Sequence, residues 1–370
     1  MTWNPFLQET QDLIREGMAT GRLSRRDVLG GLGLASVALM AGKGLALAET
    51  MAKEIVLANY GGDAATSMKE SFADPYTKDT GIPVVIDGSG PTLGKIRAME
   101  ESGNVTWDIC DSSPGDSFIL GRAGQLEEID YTIVDKTKML PGFDMPYCAG
   151  ISAYSFVLAF DRKAVGDTPP ANWVDFWDVK KFPGKRGLWH DMTGVLEAAL
   201  MADGVPRDKL YPIDVDRALK KIEEIKDHTI FWQSGSNSQQ LLRDGEVVMA
   251  QVWSTRARIL SDETKDRISW TWNDGLLLAG VFSVPKNNPA GKEAMRFINS
   301  VLTPERQIAF LRTLGSGPSN PAAAKIVPAD LQRINPTSDE ARAVQGMCND
   351  AWYADNYEKT FERYLELISS

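Results

Sequence analysis

The chain has 370 residues, with 40 Lys plus Arg against 50 Asp plus Glu and a formal net charge of −10. An acidic balance of this size argues against a nucleic-acid partner, which demands a basic footprint. Three cysteines (Cys110, Cys148, Cys348) allow at most one disulfide, and two histidines put histidine-rich metal sites out of reach.

Residues 1–48 read as an export signal rather than as part of the fold. Ser24-Arg25-Arg26-Asp27-Val28-Leu29 fits a twin-arginine signal, the run 28–40 is mildly apolar and glycine-containing, and Ala46-Leu47-Ala48 offers a small-residue cleavage site. The apolar run is well short of the roughly 18 to 20 residues that a membrane span needs. The mature chain is expected to begin near Glu49 and to reside in the periplasm, with length enough for two domains and a substantial core in each.

From Glu54 the pattern is strand, glycine turn, helix, repeated, which predicts doubly wound α/β architecture. Strands are expected over 54–59, 84–87 and 107–111. Asp63 can cap a helix toward Thr80 that is interrupted near Pro75, Pro91 suits the first turn of a helix to about Ser102, and Ser112-Ser113-Pro114 starts a third. These turns place Tyr60, residues 88–90 and Ser112-Ser113 on one rim, where N–H groups at helix starts can meet a polar ligand.

A second unit begins around Ile151, with strands over 155–160, 187–190 and 231–233. Asp191-Met192-Thr193 leads into a helix to about Asp203, and 214–227 is amphipathic, with Val215, Leu219, Ile222 and Ile225 at helical spacing. Ser234-Gly235-Ser236-Asn237-Ser238 is a strand-to-helix turn dense in hydroxyls and amides. Next, Val247, Val248, Met249, Ala250 and Val252 form a buried strand that ends on Trp253, Ser254, Thr255 and Arg256. Ligands in open α/β sheets collect outside the carboxyl ends of strands. This cluster has the composition of a pocket, although a strand-closing Trp also serves packing and an Arg also serves a solvated face. Strands over 268–272 and 277–285, helices over 291–302 and 304–314, a loop at 315–320 and an aromatic C-terminal helix complete the chain.

Catalytic patterns are missing. Residues 88–96 depart from the P-loop spacing and carry Ile96 where magnesium needs a hydroxyl; no nucleophile elbow accompanies His190-Asp191; no tyrosines adjoin for ferric-ion capture. No catalytic residue, cofactor or metal is therefore expected. Trp232, Trp253, Trp270 and Trp272 flank strand ends, and aromatic walls grip amine-bearing ligands by cation–π attraction.

The segments ANYGGD (58–63), WDICDSSPGDSFILGRAGQLEEID (107–130), NWVDFWDVKKFPGKRGL (172–188), LEAALMADGVPRDKLYPIDVDRAL (196–219), GEVVMAQVWSTR (245–256), WNDG (272–275) and the VPK step at Val284 occur in a telling order. Together they resemble the extracellular solute-binding proteins of ABC importers, in the spermidine/putrescine-binding branch. The resemblance implies a two-lobe, type II periplasmic binding protein fold, each lobe a doubly wound sheet flanked by helices. Lobe 1 would comprise 49–150 plus 276–322 and lobe 2 would comprise 151–275 plus 323–370, with crossings near 149–154, 271–278 and 318–328 and hinge closure on ligand.

By the same resemblance Trp253 matches an aromatic wall, Ser113 a polar contact, Asp191 a carboxylate for an amine, and Tyr60 falls near a first-lobe aromatic position. Two further acidic positions fall on Gly194 and Gly280, and an aromatic one on Ser316. The expected ligand-binding set is Tyr60, Ser113, Asp191, Ser234, Trp253, Arg256, Trp272 and Ser316. Each desolvated ammonium needs an acceptor, so the glycines point away from a linear polyamine and toward a ligand with one amine and one anionic end facing Arg256. The alternative for Arg256 is a bond to a helix end or to a lobe-closing carboxylate. The expected function is a monomeric periplasmic binding protein delivering a small amine-containing solute, polyamine-like or amino-acid/opine-like, to an inner-membrane ABC permease with its ATPase. The alternative is a periplasmic enzyme or sensor-input protein on the same fold.

Overall fold

The computed structural model describes residues 52–370, so the expected export signal lies outside the described residues. Ten strands form one sheet: β1 Ile55–Ala58, β2 Val84–Asp87, β3 Ile109–Ser112, β4 Ala149–Asp161, β5 Arg186–Trp189, β6 Thr229–Trp232, β7 Met249–Trp253, β8 Ile268–Ser283, β9 Gly317–Pro318 and β10 Gly346–Met347. The order is β2-β1-β3-β8-β4-β7-β5-β6, with β9 on β4 and β10 on β8. The outer groups β2-β1-β3 and β7-β5-β6 are internally parallel, and β8 and β4 enter antiparallel between them.

The two central strands are long because each serves two cores. One core takes Ala149, Ile151 and Ala153 of β4 with Leu277, Ala279 and Val281 of β8, packed on Phe72, Phe297 and Phe310. The other takes Phe156, Leu158 and Phe160 of β4 with Leu276 and Leu278 of β8, packed on Trp173, Phe176 and Leu196. Pairing runs from Ala149↔Phe282 to Asp161↔Ile268, with irregularities at Gly150/Ser152 and Phe156/Leu158. The two lobes therefore share β4 and β8. The sequence reads β8 as two strands because Asn273-Asp274-Gly275 resembles a turn. Asp274 does take φ 55°, and a Cβ at Gly275 would come within 3.1 Å of the Phe156 carbonyl, yet the ladder continues past them. The chain next meets β4 through β9, and Val327 and Leu331 then pack on Leu311.

Seven helices matter to the site: α1 Gly62–Met68, α2 Pro114–Arg122, α3 Val195–Ala202, α4 Gly235–Arg243, α5 Ser254–Glu263, α6 Pro304–Leu314 and α7 Asp350–Ser369. Gly61, at φ 73°, occupies the cap of α1, and Asp63 sits inside its first turn instead of capping it. Beyond α1 a π-helical turn, Lys69–Ala73, precedes the helix Asp74–Thr80, which is the interruption expected near Pro75. Pro91 falls before the cap of its helix, because Thr92 takes that role by accepting the Lys95 N–H. All three cysteines are free and buried. Among the described residues no helix is long and apolar enough to cross a membrane.

Candidate functional site

The carboxyl ends of β1, β3, β5, β6 and β7 each run into a turn that starts a helix, and these turns carry most of the expected residues. After β1, the Asn59 carbonyl accepts the Gly90 N–H at 2.9 Å and the Asn59 side chain accepts the Gly61 N–H at 2.8 Å. Gly61 passes so near the Gly88 carbonyl that a Cβ there would lie 3.1 Å from it. This tight turn presents Tyr60 with 57% of its surface exposed. After β3, Ser113 caps α2 by accepting the Asp116 N–H at 3.0 Å. After β6, Ser234 caps α4 in the same way, accepting the Asn237 N–H at 3.2 Å. A hydroxyl so placed satisfies an orphan donor of the first turn.

Three strands of the second lobe end on tryptophan: Trp189 of β5, Trp232 of β6 and Trp253 of β7. Trp189 and Trp232 stack at 5.6 Å and 13°, and Trp253 stands edge-on to both at 5.5 and 5.4 Å. Edge-to-face and offset contacts of this kind suit the ring quadrupoles. Gly235 makes the arrangement possible, since a Cβ there would meet Arg256 Nε at 2.6 Å and the Trp253 ring at 2.8 Å. The Trp253 indole N–H is buried and has no hydrogen-bond partner among the described residues.

Carboxylates from separate segments come within one another's field. Asp191, after β5, is held at both oxygens: Oδ1 accepts the Thr193 N–H at 2.8 Å and Oδ2 accepts the Tyr357 hydroxyl. Asp116, in the first turn of α2, has its pKa raised by burial and then by the negative charge of Asp191, so acids from the two lobes share one field. Burial pushes Asp111 up to about 7. Asp350, at the start of α7, also rises to about 7, through burial and then through the neighbouring Glu197. Desolvation and like charge both favour the protonated acid, and a bound cation would oppose both by stabilising the carboxylate.

Arg256 stands at the edge of the wall, 18% exposed, with Nη1 at 3.4 Å from both Asp63 Oδ2 and Gln239 Oε1. Its Nε and Nη2 make no hydrogen bond among the described residues. Burial lowers its pKa while Asp63 opposes that shift. Trp272 is not brought into the wall: it pairs edge-on with Trp270 and donates to the Arg333 carbonyl at 3.3 Å. Ser316 is 4% exposed, in the buried turn before β9. The sequence reading missed Trp189, Asp111, Asp116 and Asp350. A signal existed only for Trp189, which ends its strand as Trp232 and Trp253 end theirs. No group of three or more His, Cys, Asp or Glu able to hold a metal ion occurs among the described residues.

Gly194 and Gly280 explain their own lack of carboxylates. Gly194 caps α3 at φ 78°, and a Cβ there would lie 2.5 Å from the Phe156 ring and 3.0 Å from Gln251 Nε2. At Gly280 a Cβ would meet the Ser152 hydroxyl at 2.5 Å.

Comparison with known proteins identifies the family. The bacterial extracellular solute-binding protein family model matches residues 71–338. A solved ABC transporter substrate-binding protein from Bradyrhizobium japonicum is 35% identical, superimposes with a TM-score of 0.81, and the match covers 85% of this chain and 99% of that one. The γ-aminobutyric acid-binding protein of Pseudomonas aeruginosa is 27% identical over 86% of this chain and 92% of its own length. The spermidine/putrescine-binding periplasmic protein of Escherichia coli is 20% identical over 80% and 87%. The family is non-enzymatic, and its fold is the α/β periplasmic binding protein fold built here around β4 and β8. The chain is thus a member of the bacterial extracellular solute-binding protein family, the substrate-binding protein of an ABC transporter.

Proposed function

We propose that the protein captures a small periplasmic solute bearing one ammonium and one carboxylate group, of the γ-aminobutyrate class, between its two lobes. The observation that carries this reading is a guanidinium with uncommitted donors beside the Trp253 indole, together with acids at the neighbouring strand and helix ends. Asp191 and Asp116 provide acceptors for an ammonium, while Arg256 packs at the Gly235 side of Trp253 with two donor nitrogens uncommitted. The Trp253 N–H is a further buried donor in want of an acceptor, and leaving such a group unpaired costs about 1–3 kcal/mol. A carboxylate supplies acceptors to both, whereas a second ammonium would be repelled by the guanidinium. The γ-aminobutyric acid-binding relative supports the same class.

Under this reading Tyr60, Ser113 and Ser234 form the polar and aromatic rim, and Trp253 is the wall. Residues 49–150 with 276–322 and 151–275 with 323–370 act as the two lobes that close on the solute. The protein is exported by the twin-arginine route and hands its cargo to an inner-membrane permease with its ATPase. Replacing Arg25 and Arg26 by Lys should leave precursor in the cytoplasm; unimpaired export would count against that route.

Calorimetry with γ-aminobutyrate, putrescine and spermidine tests the ligand class. We expect γ-aminobutyrate to bind, and Arg256→Ala to weaken it by roughly 2–5 kcal/mol, the cost of breaking a buried charged pair. Tight putrescine or spermidine binding that survives Arg256→Ala would overturn the reading in favour of a polyamine.

A further inference from the structure

Helix α7 bonds to segments of both proposed lobes and to the Asp191 carboxylate. Toward the first lobe, Asp355 accepts from Arg122 at 2.8 Å, and Arg122 ends the same helix whose first turn holds Asp116. Toward the second lobe, the Tyr364 hydroxyl donates to the Trp189 carbonyl at 2.6 Å, and the Tyr353 hydroxyl donates to Glu197 Oε2 at 2.8 Å. Between these lies Tyr357, whose hydroxyl donates to Asp191 Oδ2. Its ring needs no such bond to stay in place, since it stacks on Phe361 at 5.3 Å and 27°. Burial, then Asp191 and Asp116, keep the phenol protonated and therefore a donor. The Asp191 carboxylate is thus fixed by its own loop at one oxygen and by a distant helix at the other.

We infer that Tyr357 is a positioning residue of the ligand site: its hydroxyl holds the Asp191 carboxylate in the orientation that receives the ligand's ammonium group. Each carboxylate oxygen offers about two acceptor sites, so a bond from the Tyr357 side leaves Oδ2 a site for the ligand while stopping rotation of the group. Preorganisation of this kind raises affinity without a new contact to the ligand. The inference rests on the proposal that Asp191 receives an ammonium.

The test is a double-mutant cycle on the full chain, with Asp191→Asn, Tyr357→Phe and both together, titrated with γ-aminobutyrate and with putrescine as ammonium probes. Tyr357→Phe keeps the stacking ring, and its thermal midpoint without ligand should match the parent within about 2 °C. We expect it to weaken binding about tenfold in the parent and to have no further effect beside Asp191→Asn, because coupled residues are not additive. If Asp191→Asn weakens binding but Tyr357→Phe stays within twofold of the parent, the positioning role is overturned and the ammonium site stands. An equal loss from Tyr357→Phe in both backgrounds also overturns it, by showing a role independent of Asp191. Failure of both probes to bind the parent, or indifference to Asp191→Asn, overturns the ammonium site and the positioning role with it.

Discussion

Arg256 Nη1 lies 3.4 Å from Asp63 Oδ2, and the two side chains belong to helices on opposite lobes. The distance is long for a charged pair, and Asp63 is 59% exposed. Exposed ion pairs contribute about 0–1 kcal/mol, so the contact holds Arg256 loosely. We predict that Asp63→Ala leaves γ-aminobutyrate affinity unchanged within about fivefold, or raises it by releasing the guanidinium. A loss greater than tenfold by calorimetry would make Asp63 a closing carboxylate and Arg256 its partner in place of the ligand's.

Affinity should depend on pH with a definite sign. Asp111 and Asp350 ionise near 7 in the folded protein because burial holds them protonated. A raised carboxyl pKa contributes stability that is present below the unfolded value of about 4 and is lost as pH rises through 7. A cationic ligand favours the ionised acids, so binding near pH 7 should release protons and tighten as pH rises from about 5.5 and level off above about 7, while the thermal midpoint of the free protein falls between about pH 4 and 7 and levels off above that. Calorimetry in two buffers of different ionisation enthalpy counts the protons. No release, with a flat affinity, would place these acids outside the ligand's field.

The two glycines that the resemblance sets at acidic positions should respond unequally. Gly194 combines φ 78° with a rigid aromatic ring and a buried amide at contact distance, whereas the obstacle at Gly280 is one hydroxyl that can turn away. We predict that Gly194→Asp costs about 2–4 kcal/mol by denaturant titration, from left-handed strain plus overpacking, and confers no putrescine binding. Gly280→Asp should cost no more than about 1.5 kcal/mol. Equal costs would mean that Phe156 and Gln251 yield as readily as Ser152.

What was legible depended on how far a residue's role is written in its neighbours. The strand ending at Trp253 could be read because an apolar run met polar turn residues, and Ser113 and Ser234 because caps have a local signature. Asp191 and Trp253 entered through likeness to known segments. Asp111, Asp116 and Asp350 were invisible for the opposite reason: each looks like a solvated charge beside a helix start, and only the packing of distant segments makes it a half-buried acid whose pKa is raised by desolvation. Trp272 stands apart from the wall, since a Trp near a strand end faces a wall or a neighbour according to register, and here it meets Trp270 and Arg333. The continuity of β4 and β8 depends on pairing, which no local pattern carries.

Arg258 separates closure from recognition. Its Nη1 donates to the Thr313 carbonyl at 2.9 Å at the end of α6, and its methylene chain lies over Gly315, whose φ of 86° ends that helix. A cation on the last carbonyls of a helix is favoured by the unpaired oxygens and by the dipole. Under the lobe division proposed above, Arg258 on α5 and Thr313 on α6 lie on opposite lobes, and we predict that this bond forms as the lobes approach. Its polar contacts are the Thr313 carbonyl and Asp262, not Asp191 or the tryptophans, so under that division it would act on the open–closed equilibrium, and affinity would scale with the closed fraction whatever the ligand. We predict that Arg258→Ala weakens every ligand that binds by the same factor, about three- to tenfold, and leaves the preference between γ-aminobutyrate and putrescine untouched. Small-angle scattering at subsaturating ligand should show a larger mean radius of gyration than the parent at the same concentration. A changed preference, or an unchanged affinity, would show that Arg258 does not govern closure.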